Sequence, residues 1–238
     1  MKIAVVGDLL VDSGHFGTAA GGAARAASLL ARTGNNVQLL TVLPGDSSPS
    51  QLAAVLPGVS VAAGQDLTEE MLRCLDFADA IMVADGGRGV TWNDRLRWRL
   101  GVLASSVPIV WDQHRDGPAP VPGVSAVTIG QSSASHASGI DVRSQDSASE
   151  AAGVLLHSWD ASSVSVLTSP AGADSGKVRG TFSTALAAGL AQGMAVSDGV
   201  HLAAQHAGIS NSNQRSLGLA FAPTPAPSTG ETAAGPGS

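Results

Sequence analysis

Short, largely apolar runs alternate with longer stretches in which apolar residues recur at helical spacing, from the N-terminus to about residue 208. Ile3–Val6, Val37–Leu43, Val59–Ala62, Ala80–Ala84, Val107–Trp111, Val124–Thr128 and Val164–Thr168 have the length of strands. They are apolar on consecutive positions rather than on every second one, as strands covered on both faces are. Between them the spacing predicts helices: from Gly21-Gly22 to Gly34, over Ser47–Leu56, Leu67–Phe77, Trp92–Ser105, Gln131–Ser138 and Ser144–Trp159, and two Ala-rich ones over Thr181–Gly193 and Ser197–Gly208. Thr68, just ahead of Glu69 and Glu70, is a natural helix cap. Strands alternating with helices in this way predict right-handed βαβ units and an α/β domain over residues 1–219, with a doubly wound, mostly parallel sheet. Residues 220–238 are rich in Pro, Ala, Gly, Ser and Thr. Such a stretch cannot bury a core, and it reads as a disordered tail.

Composition narrows the function. The 238 residues suffice for one sizeable core. The net charge is −6, with two lysines (Lys2 and Lys177) and eleven scattered arginines. No basic stripe exists to track a nucleic acid. Four Trp, four Phe and no Tyr leave little material for a stacking platform. A single cysteine, Cys74, excludes an internal disulfide and suggests a reducing compartment. No apolar run approaches the length of a membrane span, and no leader pattern precedes the first strand. A cytoplasmic protein is expected. The six histidines lack the spacing of a zinc site, and no metal ligands are expected.

The chemistry gathers at strand ends. The first strand stops at Gly7-Asp8, a second acid follows at Asp12, and Gly21-Gly22 opens a helix. A later strand ends in Asp85-Gly86-Gly87-Arg88, and another in Asp112-Gln113-His114. In an open α/β sheet these acids line the carboxyl edge of the strands, where small molecules bind.

VVGDLLVD (5–12), GGAARAASLLARTGNNVQLLTVLPGD (21–46), AIMVADGGRGVT (80–91), VPIVWDQHRDG (107–117) and GTFSTALAAGLAQG (180–193) together resemble the ribokinase (PfkB) family of carbohydrate kinases, most closely the kinase half of bacterial heptose-7-phosphate kinases. The resemblance implies a ribokinase-like fold. It also implies a sugar-binding side in which Asp8, Asp12, Gly21 and Gly22 contact a sugar through paired hydroxyl hydrogen bonds. Asp85 and Arg88 would face the same site, with Arg88 able to grip a phosphate. Its lid strands are reduced or absent here, because few residues separate Asp12 from Gly21 and Val59–Asp66 is short.

The phosphoryl-transfer side departs from the family. The family's Gly-Ala-Gly-Asp run aligns with Lys177-Val178-Arg179-Gly180. Lys177 and Arg179 therefore stand where glycines would form the anion hole, and Gly180 stands where the base would be. Thr128-Ile129-Gly130-Gln131 replaces the family's Thr-Pro-Asn run, and the Glu that follows that run is missing. Ala171-Gly172-Ala173-Asp174-Ser175 repeats the lost signature six residues upstream, so Asp174 is a substitute candidate for the catalytic base. Three readings follow. One is a kinase-like protein that binds a sugar or sugar phosphate and has lost phosphoryl transfer, acting as a regulatory or partner subunit. Another is an active kinase using Asp174, which alone would require ATP and Mg. The third is a fold recruited for other chemistry on a sugar-like metabolite. The Ala-rich helices suggest a homo-oligomer or a partner enzyme.

Overall fold

A computed structural model describes residues 1–10, 21–43, 45, 47–168, 175–209 and 217–223. In chain order it contains β1 (Lys2–Gly7), β2 (Leu9–Leu10), β3 (Gly21–Gly22), α1 (Ala23–Arg32), β4 (Asn36–Val42), α2 (Pro49–Ala54), β5 (Val59–Gly64) and α3 (Glu69–Arg73). Next come β6 (Ala80–Ala84), α4 (Asp94–Leu103), β7 (Ile109–Gln113), β8 (Ala126–Gly130), α5 (Gln131–Ser138) and α6 (Gln145–Trp159). The last elements are β9 (Ser163–Leu167), α7 (Ser175–Ala191), α8 (Val196–His206) and β10 (Leu217–Phe221). Short 3₁₀ turns cover Cys74–Phe77 and Val90–Trp92. The cap expected at Thr68 is present, and another forms at Ser144. The Thr68 hydroxyl accepts from the Met71 amide, and Ser144 closes a capping box with Ser147.

The main sheet runs β10-β9-β8-β7-β6-β1-β4-β5. Every pairing in it is parallel except that of β10 with β9. The expected α/β, mostly parallel sheet is therefore present. Both faces are covered, and the apolar runs divide between them by simple alternation. Ile3 and Val5 pack with α1, α7 and α8, while Ala4 and Val6 pack with the side of α4 and α6. From β1 the chain moves outward one way to β4 and β5, then returns to β6 and proceeds the other way. The direction reverses between β1 and β6, which is where an open α/β sheet forms its ligand crevice.

Three features depart from expectation. β7 and β8 lie two residues further along than the apolar runs, because the polar residues Asp112 and Gln113 still pair, with Thr128 and Ile129. α7 begins at Ser175 rather than Thr181, adding about 9 Å of helix. β10 is a strand the apolar pattern does not predict, and it runs past the expected domain end at 219. Among the described residues the place of the lid holds β2 and β3, a two-residue antiparallel pairing. The tail from Thr224 lies outside the described residues.

β10 explains a glycine. A methyl group built on Gly218 would overlap the backbone of Ala148 in α6. Gly218→Ala is therefore expected to lower stability by about 1–3 kcal/mol, as overpacking does. Gly153, inside α6, has open space around it. Gly153→Ala should raise stability by about 0.5–1 kcal/mol through helix propensity. Urea midpoints of the two variants check both signs.

Candidate functional site at the switch point

The site is built where β1 and β6 end side by side. Asp8 follows β1 and is 3% exposed. Its Oδ2 accepts from the backbone amides of Gly86 and Arg88, both at 3.0 Å, and its Oδ1 accepts from Val90 at 3.0 Å. One carboxylate thus shapes the whole turn after β6. The Asp8 amide in turn donates to Ala84 at 3.3 Å, and the Ala23 amide donates to the Asp8 carbonyl at 3.1 Å. Asp8 therefore links β1, the turn after β6 and the start of α1, with one carboxylate lone pair left over.

Asp85 is 5% exposed. Its Oδ1 accepts from the Gly87 amide at 2.9 Å and the Thr91 hydroxyl at 3.0 Å. Its Oδ2 is buried and has no hydrogen-bond partner. Burial pushes the Asp85 carboxyl above its ordinary value. The Gly87 amide, the Thr91 hydroxyl and the His114 amide pull it down, and the nearby Asp8 charge adds a smaller push upward. The His114 amide exerts this pull from the turn after β7. The Arg88 side chain is exposed on the same turn.

The turn after β7 closes the other side. The Asp85 amide donates to the Asp112 carbonyl at 3.2 Å. Gln113 is buried, and its Nε2 reaches the carbonyls of His114 (2.8 Å), Pro118 (3.1 Å) and Gly117 (3.4 Å). From outside, Arg97 holds both turns, donating to Thr91 at 3.4 Å and Ala119 at 3.0 Å.

Beyond β7 the site changes character. Arg179 reaches in from α7 and its Nε donates to Oδ1 of Asp112. Both side chains are largely buried, 18% and 12% exposed. Burial pushes the Asp112 carboxyl up, and the Arg179 charge and hydrogen bond oppose that push. The Thr128 hydroxyl lies 2.6 Å from that of Ser183, which donates to the Arg179 carbonyl at 2.9 Å. Gly130 lies beside the Arg179 guanidinium. Gly180 faces open space. Lys177 is exposed and partnered.

Asp8, Gly22, Asp85 and Arg88 thus gather at the switch point, with Gly21 paired to Leu10 beside them. Arg179 meets the strand edge next to Asp112, one element further along. Asp12 and Asp174 lie outside the described residues. Thr91, Gln113 and Gly117 were not singled out by the sequence reading. Their signal is position alone, within a few residues of a strand-ending acid. Among the described residues no group of three or more His, Cys, Asp or Glu is placed to hold a metal. No helix among them is long and apolar enough to cross a membrane.

This sheet order, with acids at the reversal of strand direction, is the ribokinase-like fold. Ribokinase of Arabidopsis thaliana, solved with ribose and ATP, superposes with a TM-score of 0.63 over 86% of this chain and 90% of that one, at 16% identity. The 2-dehydro-3-deoxygluconokinase of Thermotoga maritima gives 0.59 over 87% and 91%, at 14% identity. Phosphofructokinase-2 of Escherichia coli gives 0.55 over 89% and 96%, at 15% identity. In sequence, the chain is 31% identical to the bifunctional protein HldE of Streptomyces coelicolor over 56% of its own length and 38% of that protein's. The chain thus spans well under half of that relative. No family model matches the chain. The resemblance read from the sequence holds at the level of the fold.

The buried carboxylates make two expectations testable. The Asp85 carboxyl has a folded-state pKa above its unfolded one, so its contribution to stability is complete below the ordinary carboxylate range and is lost as pH rises through the raised value. The stability difference between Asp85→Asn and wild type should therefore shift in the variant's favour as pH climbs out of that range. Chemical denaturation across a pH series reads the slope, and a flat difference contradicts the assignment. Arg179→Gln should cost about 3–5 kcal/mol by leaving Asp112 buried without its cation. Replacing both partners, Arg179→Met with Asp112→Leu, should recover most of that loss.

Proposed function

We propose that this protein binds a sugar or sugar phosphate at the switch-point edge and has lost phosphoryl transfer, so that it serves as a carbohydrate-kinase-like binding or regulatory subunit. The sugar side of the site comprises Asp8, Asp12, Gly21, Gly22, Asp85 and Arg88. The observation that carries the reading is the Arg179–Asp112 ion pair. By the family resemblance, position 179 belongs to a glycine cradle for the transferring phosphoryl group. Here it holds a guanidinium already engaged by a buried carboxylate. The neighbouring base position is Gly180, which has no proton acceptor. The donor side also fits magnesium and a nucleotide poorly, since Thr128, Gly130 and Gln131 supply no carboxylate and Asp112, beside Thr128, is already paired with Arg179. A regulatory role alongside a partner enzyme, or within a homo-oligomer, accords with a site that binds without turning over.

One observation favours a second reading, an active kinase. α7 starts at Ser175, directly after Asp174 in the chain. The displaced Gly-Ala-Asp-Ser sequence therefore needs no bulge to precede a helix, and Asp174 would be the base, with ATP and Mg as cosubstrates.

A thermal-shift screen of sugars and sugar phosphates on the full chain, run beside an ATP-turnover assay with magnesium, separates the two. The proposal expects stabilisation by at least one sugar or sugar phosphate, loss of that shift in Asp85→Asn, and no turnover. Turnover with any of these sugars, abolished by Asp174→Asn, overturns it in favour of the kinase.

A further inference from the structure

The turn His114–Pro118 closes directly over Asp85. A methyl group built on Gly117 would overlap the Asp85 carboxylate, with Oδ2 its nearest atom. The backbone at 117 is thus in van der Waals contact with the one oxygen of that carboxylate that has no hydrogen bond. Only a glycine fits there. The contact it offers is at best a Cα–H donor, far weaker than N–H or O–H. Buried carboxylate oxygens in proteins are nearly always met by real donors, so the present arrangement leaves Asp85 short of one.

The turn is also thinly held. Gln113 Nε2 has two hydrogens and faces three carbonyls, those of His114, Gly117 and Pro118. At least one of these bonds is shared. The other end of the same amide, Oε1, is buried without a partner. Within the turn, the Gly117 amide donates to the His114 carbonyl at 3.3 Å and the Asp116 amide donates to His114 Nδ1 at 3.2 Å. These bonds are local to the turn and would travel with it. Outside Gln113, the His114 imidazole rests against Gly87, and Arg97 donates to Ala119, which lies beyond Pro118 and can act as the fixed end.

We infer that Asp85 Oδ2 is a hydroxyl-binding subsite and that Gly117 roofs it, so that a polyhydroxylated ligand binds Asp85 by lifting the His114–Pro118 turn and replacing a Cα–H contact with an O–H donor. The inference rests on the sugar-binding reading above and adds to it which atom accepts and what must move. The group bound there is a neutral hydroxyl, because a phosphate would meet the Asp85 and Asp8 carboxylates. The raised pKa of Asp85 fits a carboxyl kept under a cover that does not satisfy it.

Hydrogen–deuterium exchange on the full chain, combined with calorimetric titration of D-ribose, D-mannose and myo-inositol, tests this. The variants are Gly117→Ala, which cannot close the roof, Gln113→Ala, which removes its anchor without touching Asp85, and Asp85→Asn. In wild type without sugar, amides 114–117 should exchange well ahead of those in β7 and β8, and faster still in Gly117→Ala and Gln113→Ala. One of the sugars should bind these two variants at least about threefold more tightly than wild type, since the closed state no longer competes. It should not bind Asp85→Asn. Exchange at 114–117 that both variants leave unchanged overturns the roof, whatever binds. Sugar affinity that falls in both variants as it does in Asp85→Asn makes the turn part of the ligand's own contact surface, and also overturns it. Wild-type binding that survives Asp85→Asn overturns the subsite alone. No sugar binding by any form, with exchange as expected, removes the hydroxyl assignment by way of the sugar-binding reading and leaves a turn that moves without a ligand.

Discussion

Three amides converge on one buried carboxylate, and the candidate site at the sheet's switch point depends on that convergence. Asp8 sits at the end of the central strand β1, where the sheet reverses its direction of growth. It binds the amides of Gly86, Arg88 and Val90. A buried charge is tolerated when hydrogen bonds meet its lone pairs, and here three backbone amides meet all but one. The turn after β6 is thereby fixed relative to β1. Asp85, Thr91 and the Gln113 turn take their positions from it. Without that carboxylate the two strand ends would still pair, but the turn carrying Asp85 and Arg88 would have no template.

The same edge treats its other two acids differently. Asp112 is neutralised from within by Arg179 and is structurally committed. Asp85 is left with an oxygen that nothing satisfies. Of three acids at neighbouring strand ends, one organises, one is paired and one is kept unmet. This division motivates the functional reading. The unmet acid lies on the side that the family resemblance gives to the sugar, and the paired acid holds Arg179, a position that the resemblance gives to the phosphoryl side.

Most of the fold was legible in the sequence. Consecutive apolar runs separated by helical spacing mark the parallel strands and the α-helices of the described residues, and Thr68 and Ser144 mark helix starts correctly. The errors have physical causes. The ends of β7 and β8 were set too early because Asp112 and Gln113 are polar yet still hydrogen-bond in the ladder. The first turns of α7 read as loop because Gly176 and Gly180 weaken helix propensity, while Val178 packs against the core. β10 went unseen because Gly218 weakens a strand pattern, and only the approach of α6 explains that glycine. In the site, strand-ending acids were visible as residue types. Their separate roles were not, since these depend on which amides and cations the fold brings to each carboxylate. Gln113 and Gly117 carry no sequence signal beyond their proximity to Asp112.

The proposed function needs a sugar side that persists beside a donor side closed by the Arg179–Asp112 pair. Calorimetric titration of the full chain with magnesium–ATP tests it most directly. The expected result is no saturable heat up to millimolar nucleotide, because Arg179 is held by Asp112 and, among the described residues, no group of acids is placed to receive a metal. Saturable binding in the micromolar range would contradict it.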